Sequence, residues 1–161
     1  MLNPVAALRA FIRSRYKDIH DPATGELYLR RFYLTPKGDW WRKHLPGVFL
    51  HNIVRSDYDR ELHDHPWAWA VSLILAGGYT EIRREASVMP NGFRFFGPLQ
   101  CMFRGPGCLN FIRGSTFHRI CLLPSRPSVW SLFVVGPRDD SRTWGFISND
   151  HLHTFTPFDQ K

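Results

Sequence analysis

The stretch Glu61-Leu62-His63-Asp64-His65-Pro66-Trp67-Ala68-Trp69-Ala70-Val71-Ser72-Leu73-Ile74-Leu75-Ala76-Gly77-Gly78-Tyr79 decides the reading of this chain. It reads as one strand that begins with two histidines, runs through apolar residues and closes on a glycine turn. Residues two apart on a strand point to the same face. His63 and His65 therefore offer their imidazoles to one point, and a metal ion is the simplest object that wants both rings. Asp64 faces the other way and is expected to bond backbone near the Pro66 turn. A second pair of the same spacing, His151 and His153, lies in a polar context. The spacing alone therefore decides nothing, and the first pair needs company.

Working outward, β-prone runs separated by turn residues recur every eight to twelve residues. The expected strands are 26–35, 47–55, 79–84, 99–104, 108–113, 117–123, 128–135 and 143–148. Residues 79–84 read as an exposed, alternating strand, and 89–98 as a loop or hairpin with Asn91-Gly92 at its tip. Val5, Leu8, Phe11 and Ile12 fall at helical spacing after Asn3-Pro4, which predicts an amphipathic helix over 4–16. The expected organisation is a single domain, 1–161, with that helix, a β-barrel over 26–148 and a polar tail over 149–161.

Composition supports one folded domain. The 161 residues are 43% apolar and 15% aromatic, which excludes a disordered chain. Cys101, Cys108 and Cys121 are odd in number and lack C-x-x-C spacing, which excludes a disulfide framework or zinc ribbon; they read as buried thiols. The net charge of +7 comes from basic residues scattered in pairs, with no long basic run. A solvated surface excess, or attraction of an anionic small-molecule substrate, fits this better than nucleic acid. Arginines break the apolar character of residues 1–16, and the run 67–76 is too short to span a bilayer. A cytoplasmic protein without membrane contact is the expectation.

The company of the histidines lies in two segments. Past His65 the spacing continues to Gly77, and further on Gly107 is followed by Arg113, Gly114, Ser115 and then His118. This layout resembles the two signature motifs of the cupin superfamily, G-x5-H-x-H-x3,4-E-x6-G and G-x5-P-x-G-x2-H-x3-N. The resemblance covers roughly residues 47–136 and implies an all-β, double-stranded β-helix barrel, to which the sequence adds the N-terminal helix. A longer pattern, from Leu29-Arg30-Arg31-Phe32-Tyr33 through the histidine stretch to Trp144-Gly145-Phe146, is similar to a group of bacterial and phage cupins.

The departures from the motifs carry chemistry. The family glutamate would fall at Trp69 or Ala70, neither of which binds a metal; Leu122 stands where the motif has asparagine. By the resemblance the ligand set is then His63, His65 and His118. Three neutral imidazoles leave open coordination positions and suit Fe(II), Zn, Ni, Mn or Cu rather than Mg or Ca. Three-histidine cupin sites resemble those of thiol dioxygenases, so an Fe(II)-dependent dioxygenase is the leading expectation. A non-redox Zn, Ni or Mn hydrolase or isomerase is one alternative, and a ligand-binding or structural barrel without catalysis is another. Losing the carboxylate also makes the site more positive, which favours anionic ligands.

The substrate-binding candidates are Arg55, Arg60, Trp69, Tyr79 and Trp130, with Trp67 and Phe117 as further cavity-lining aromatics. For Arg55 and Arg60, holding an anion bidentately competes with pairing to Asp57, Asp59 or Glu61. His51, on the preceding strand, either faces the cavity as an extra ligand or an acid/base, or has a surface or strand-packing role. The resemblance further implies that barrel edges pair in a homodimer.

Overall fold

The computed structural model describes residues 14–21, 24–57, 62–90, 94–140, 145–147 and 155–157. In chain order the elements are β1 (Tyr16–His20), β2 (Leu27–Tyr33), α1 (Asp39–His44), β3 (Gly47–Ile53), β4 (Leu62–His63), β5 (Trp69–Ala76) and β6 (Tyr79–Val88). They continue with β7 (Arg94–Phe96), β8 (Gln100–Arg104), β9 (Leu109–Arg113), β10 (Thr116–Leu122), β11 (Val129–Val135), β12 (Gly145–Ile147) and β13 (Phe155–Pro157). One sheet runs β1-β2-β3-β11-β5-β9, and the other runs β13-β12-β4-β10-β6-β7 with β8 also on β6. The described chain is thus all-β with one short helix, and none of its helices is long and apolar enough to cross a membrane.

Period-two burial explains why the two sheets close on each other. On β11, Val129, Ser131, Phe133 and Val135 are buried, while Trp130, Leu132 and Val134 turn away. Leu29, Ile53, Ile74 and Val129 from the first sheet meet Tyr79 and Ile120 from the second in one core cluster. A second cluster joins Phe49, Ala70, Ile112, Phe133 and Val135. Each buried Leu, Ile, Val or Phe among them contributes about 2 kcal/mol of apolar burial. Between β5 and β6 the chain reverses at Gly77 and Gly78, with φ of 81° and 154°. A Cβ on Gly77 would sit 2.3 Å from the Ser128 carbonyl oxygen, so the tight approach to β11 requires glycine.

Several expectations change here. The histidine stretch is not one strand: β4 lies in the second sheet and β5 in the first, and residues 64–68 carry the chain between them. Pro66 lacks an N–H and cannot sit inside a ladder, which favours the break at that place. β6 is not an exposed strand, because Tyr79, Glu81, Arg83 and Arg84 are all buried. Phe155–Pro157, read as tail, pairs with β12. The strand β1 and the helix α1 were not anticipated. Cys101 is exposed, and Cys108 and Cys121 are only half-buried. Most of the expected helix 4–16 lies outside the described residues, and its last residue, Tyr16, begins β1. His151 and His153 also lie outside them.

Candidate metal centre

His63 is placed by pairing. It sits directly opposite His118 of β10 on one side and Phe146 of β12 on the other. His65 is placed by a pinned crossover. The Asp64 N–H donates to the Gly145 carbonyl at 3.1 Å, and Asp64 Oδ1 accepts the Gly145 N–H at 2.7 Å. The Ala68 N–H donates to the Pro137 carbonyl, and the Asp139 N–H to the Pro66 carbonyl. The bend between the sheets is therefore tied down at both ends. Asp64 does bond backbone, reaching across to Gly145 of β12.

The three rings converge. Centroids lie 5.0 Å apart for His63 and His118, 5.1 Å for His65 and His118, and 5.2 Å for His63 and His65. Their ligand nitrogens all lie within 4.8 Å of one another, and Nε2 of His65 is 2.9 Å from Nε2 of His118. Two bonds of ~2.1 Å at a right angle would place two nitrogens ~3 Å apart, so this pair fits one ion of the kind imidazoles prefer.

Glu81 orients His118. Its carboxylate has no exposed surface and accepts from His118 Nδ1 at 2.8 Å and from Asn110 Nδ2 at 3.0 Å. Arg104 donates to its other oxygen from Nε at 3.0 Å and Nη2 at 2.8 Å. Burial alone would raise the Glu81 carboxyl, but the hydrogen bonds from His118, Asn110 and Arg104 outweigh it and hold it at about 2. An ionised carboxylate only accepts, so the proton sits on His118 Nδ1 and Nε2 is the nitrogen turned to His65. For His65, burial first and then the neighbouring His118, His63, Arg31 and His51 charges hold its pKa well below the usual imidazole range. A neutral ring keeps a lone pair for a metal.

The histidines open onto a cavity of about 540 Å³ between the sheets. This is the size of ordinary small-molecule sites. Trp67 lies against His65 at 5.4 Å between ring centroids, and Phe133 lies 6.3 Å from it.

The substrate candidates divide. Tyr79 lines the cavity, whereas Arg55, Trp69 and Trp130 do not. Arg55 pairs with Glu26. The Trp69 ring packs where a Gly136 side chain would be, and Trp130 stacks outside the barrel on Phe32 at 6.2 Å. Arg60 lies outside the described residues. Phe117 faces away from the cavity and packs with Leu62 and Ile147. This follows from the strand period: with His118 facing in, Phe117 must face out.

Sequence reasoning missed Glu81, and one signal was present. Glu81 is two residues from Tyr79, which was expected to face in, so the same alternation turns it inward. It also missed Arg31 and Ser131, which line the cavity with His51. Their placement depends on strand register, which no local spacing reveals.

No protein-family model matches the chain, and no curated protein matches it. Solved structures do. Fe(II)-HppE with the alternative substrate (S)-1-HPP matches with a TM-score of 0.53 and 9% identity, over 76% of this chain and 56% of that one. FeII HppE matches with 0.52 and 8% over the same shares. Hydroxypropylphosphonic acid epoxidase from S. wedmorenis matches with 0.51 and 9%, again over 76% and 56%. The chain thus spans little more than half the length of these neighbours. The likeness shows the fold, an all-β arrangement of two sheets.

Proposed function

We propose that this barrel is a metal-dependent enzyme acting on a small, anionic molecule, with a divalent transition metal held by His63, His65 and His118. The observation that carries the reading is the convergence of the three rings, with Nε2 of His65 and His118 at 2.9 Å. We favour Fe(II) and oxidation of the dioxygenase type. The Fe(II) loading of HppE, which shares the fold, supports iron, and the all-imidazole donor set is compatible with it. When bound, the metal supplies redox chemistry toward O₂ and open positions for substrate. The chain's own residues hold and orient: Glu81 fixes His118, the Asp64–Gly145 pair fixes the bend carrying His65, and the aromatic wall of Trp67 and Phe133 excludes water.

Metal analysis of untagged protein tests the site. One metal per chain is expected, lost in His118→Ala; retention in that variant would mean that other residues bind it. Fe(II)-loaded protein exposed to nitric oxide should give the paramagnetic signal of a mononuclear non-haem site. Tight zinc with turnover in anaerobic buffer would instead support the second reading, a non-redox zinc hydrolase or isomerase, which the neutral three-histidine set also fits.

A further inference from the structure

One row of polar side chains crosses the inner face of the first sheet. In the β1–β2 ladder Lys17 stands opposite Arg31, in β2–β3 Arg31 stands opposite His51, and in β3–β11 His51 stands opposite Ser131. All four line the cavity. The rows two residues away are apolar: Ile19, Leu29, Ile53 and Val129 on one side, and Tyr33, Phe49 and Phe133 on the other. A polar row between two apolar rows, facing inward, costs stability unless something uses it.

The row is built. Arg31 Nε donates to His51 Nε2 at 3.0 Å, and its guanidinium lies over the Phe49 ring at 5.1 Å. His51 is sandwiched between Phe49 at 5.8 Å and Phe133 at 4.9 Å. Burial first, then the Arg31 charge, keeps His51 well below the usual imidazole range, so the ring accepts from Arg31 and adds no charge. Beside it, Ser131 is 1% exposed, and its hydroxyl has no hydrogen-bond partner among the described residues. A buried hydroxyl left unpaired costs about 1–3 kcal/mol, and one facing a cavity marks the place where a ligand completes it. Charge has the same sense. The cavity is lined by Lys17, Arg31, Lys37 and Arg138, while the one carboxylate among its described lining residues, Asp64, is bonded to Gly145. Arg138 is paired with Asp140 outside.

We infer that Arg31 and Ser131, with Lys17 beside them, form the subsite for an oxyanion head group, a carboxylate or a phosphate, on a substrate whose apolar body lies along Phe49, Phe133 and Trp67. His51 is the positioning residue that holds Arg31. The Phe133 ring touches both His51 and His65, so a molecule anchored on the row reaches the histidine centre across a single aromatic ring. The inference deepens the proposed small-molecule reading and relies on it only for the reacting end; the anion subsite itself needs no metal.

The test uses the whole chain stripped of metal with EDTA. Benzoate and phenyl phosphate are titrated against it by calorimetry, with benzyl alcohol as the neutral control. Both anions, or one of them, should bind more tightly than the alcohol, and which one binds names the head group. Arg31→Met should weaken anion binding about 10- to 100-fold, the range for a charge-assisted hydrogen bond. Arg31→Lys keeps the charge without the fork and should fall between, which serves if the Met variant does not fold. Ser131→Ala should weaken binding about 3- to 10-fold while leaving the melting temperature equal or higher, an outcome that a purely structural hydroxyl would not give. Equal affinities in all variants, or no binding of either anion, would overturn the subsite. Anion binding that requires metal, vanishes in His118→Ala and ignores Arg31 and Ser131 would also overturn it while leaving the metal reading intact. Anion binding by the row in a protein that never retains metal would do the reverse.

Discussion

Glu81 accepts a hydrogen bond from His118 Nδ1 at 2.8 Å with none of its own surface exposed. The carboxylate that the family pattern would place in contact with a metal is missing from the strand after His65. The buried carboxylate of this chain stands one shell back, behind an imidazole, where it sets which nitrogen of His118 faces the centre.

Replacing Glu81 by Gln keeps the shape and removes the charge. Metal affinity is expected to fall about 10- to 100-fold, the usual cost of losing such a supporting partner. Glu81→Ala should be worse for folding, about 3–5 kcal/mol, because Arg104 loses its buried partner. Metal titration of the Gln variant and chemical denaturation of the Ala variant check the two effects separately.

His51 gives the apo protein an acid-sensitive element. Its pKa in the fold lies well below the ordinary 6.5, since burial and Arg31 disfavour the charged ring. The unfolded chain therefore binds this proton first. Stability is complete above about pH 6.5 and declines as pH falls, by up to ~1.4 kcal/mol per pH unit for one proton. His51→Gln can still accept from Arg31 but does not titrate. Its stability measured between pH 7 and 5 should lose that share of the slope.

At the alkaline end the same reasoning applies to Tyr79 with the opposite sign. Burial, then the Glu81 charge, pushes its hydroxyl up to about 12 from the ordinary 10.0, although hydrogen bonds from Asn110 and Ser72 pull the other way. Its contribution is whole below pH 10 and is lost as pH rises toward 12. Absorbance titration should show tyrosines that ionise late, and Tyr79→Phe should remove one of them.

Gly77→Ala tests the turn that joins the sheets. The residue has φ of 81°, and the new Cβ would meet the Ser128 carbonyl at 2.3 Å. Left-handed strain costs about 1 kcal/mol, and the backbone clash adds to it, for roughly 2–4 kcal/mol in all. The melting temperature should drop by about 5–15 °C. Gly107, also at positive φ but with open space around its missing Cβ, should pay only the strain when changed to Ala.

The chain by itself determined that this is a β protein, where most of its strands lie, and which three histidines to watch. The first two readings follow from period-two patterning and turn residues, which are local, and the third from the resemblance to the cupin motifs. Only the tertiary structure decided that the histidine stretch belongs to two sheets, that Glu81 and Arg83 are buried rather than exposed, and that Arg55, Trp69 and Trp130 stand apart from the cavity. It also decided that Lys17, Arg31, His51 and Ser131 form one row, although they lie far apart in sequence. Register and sheet order come from burying many side chains at once, and shifting one strand by a single residue would turn every one of its side chains to the other face.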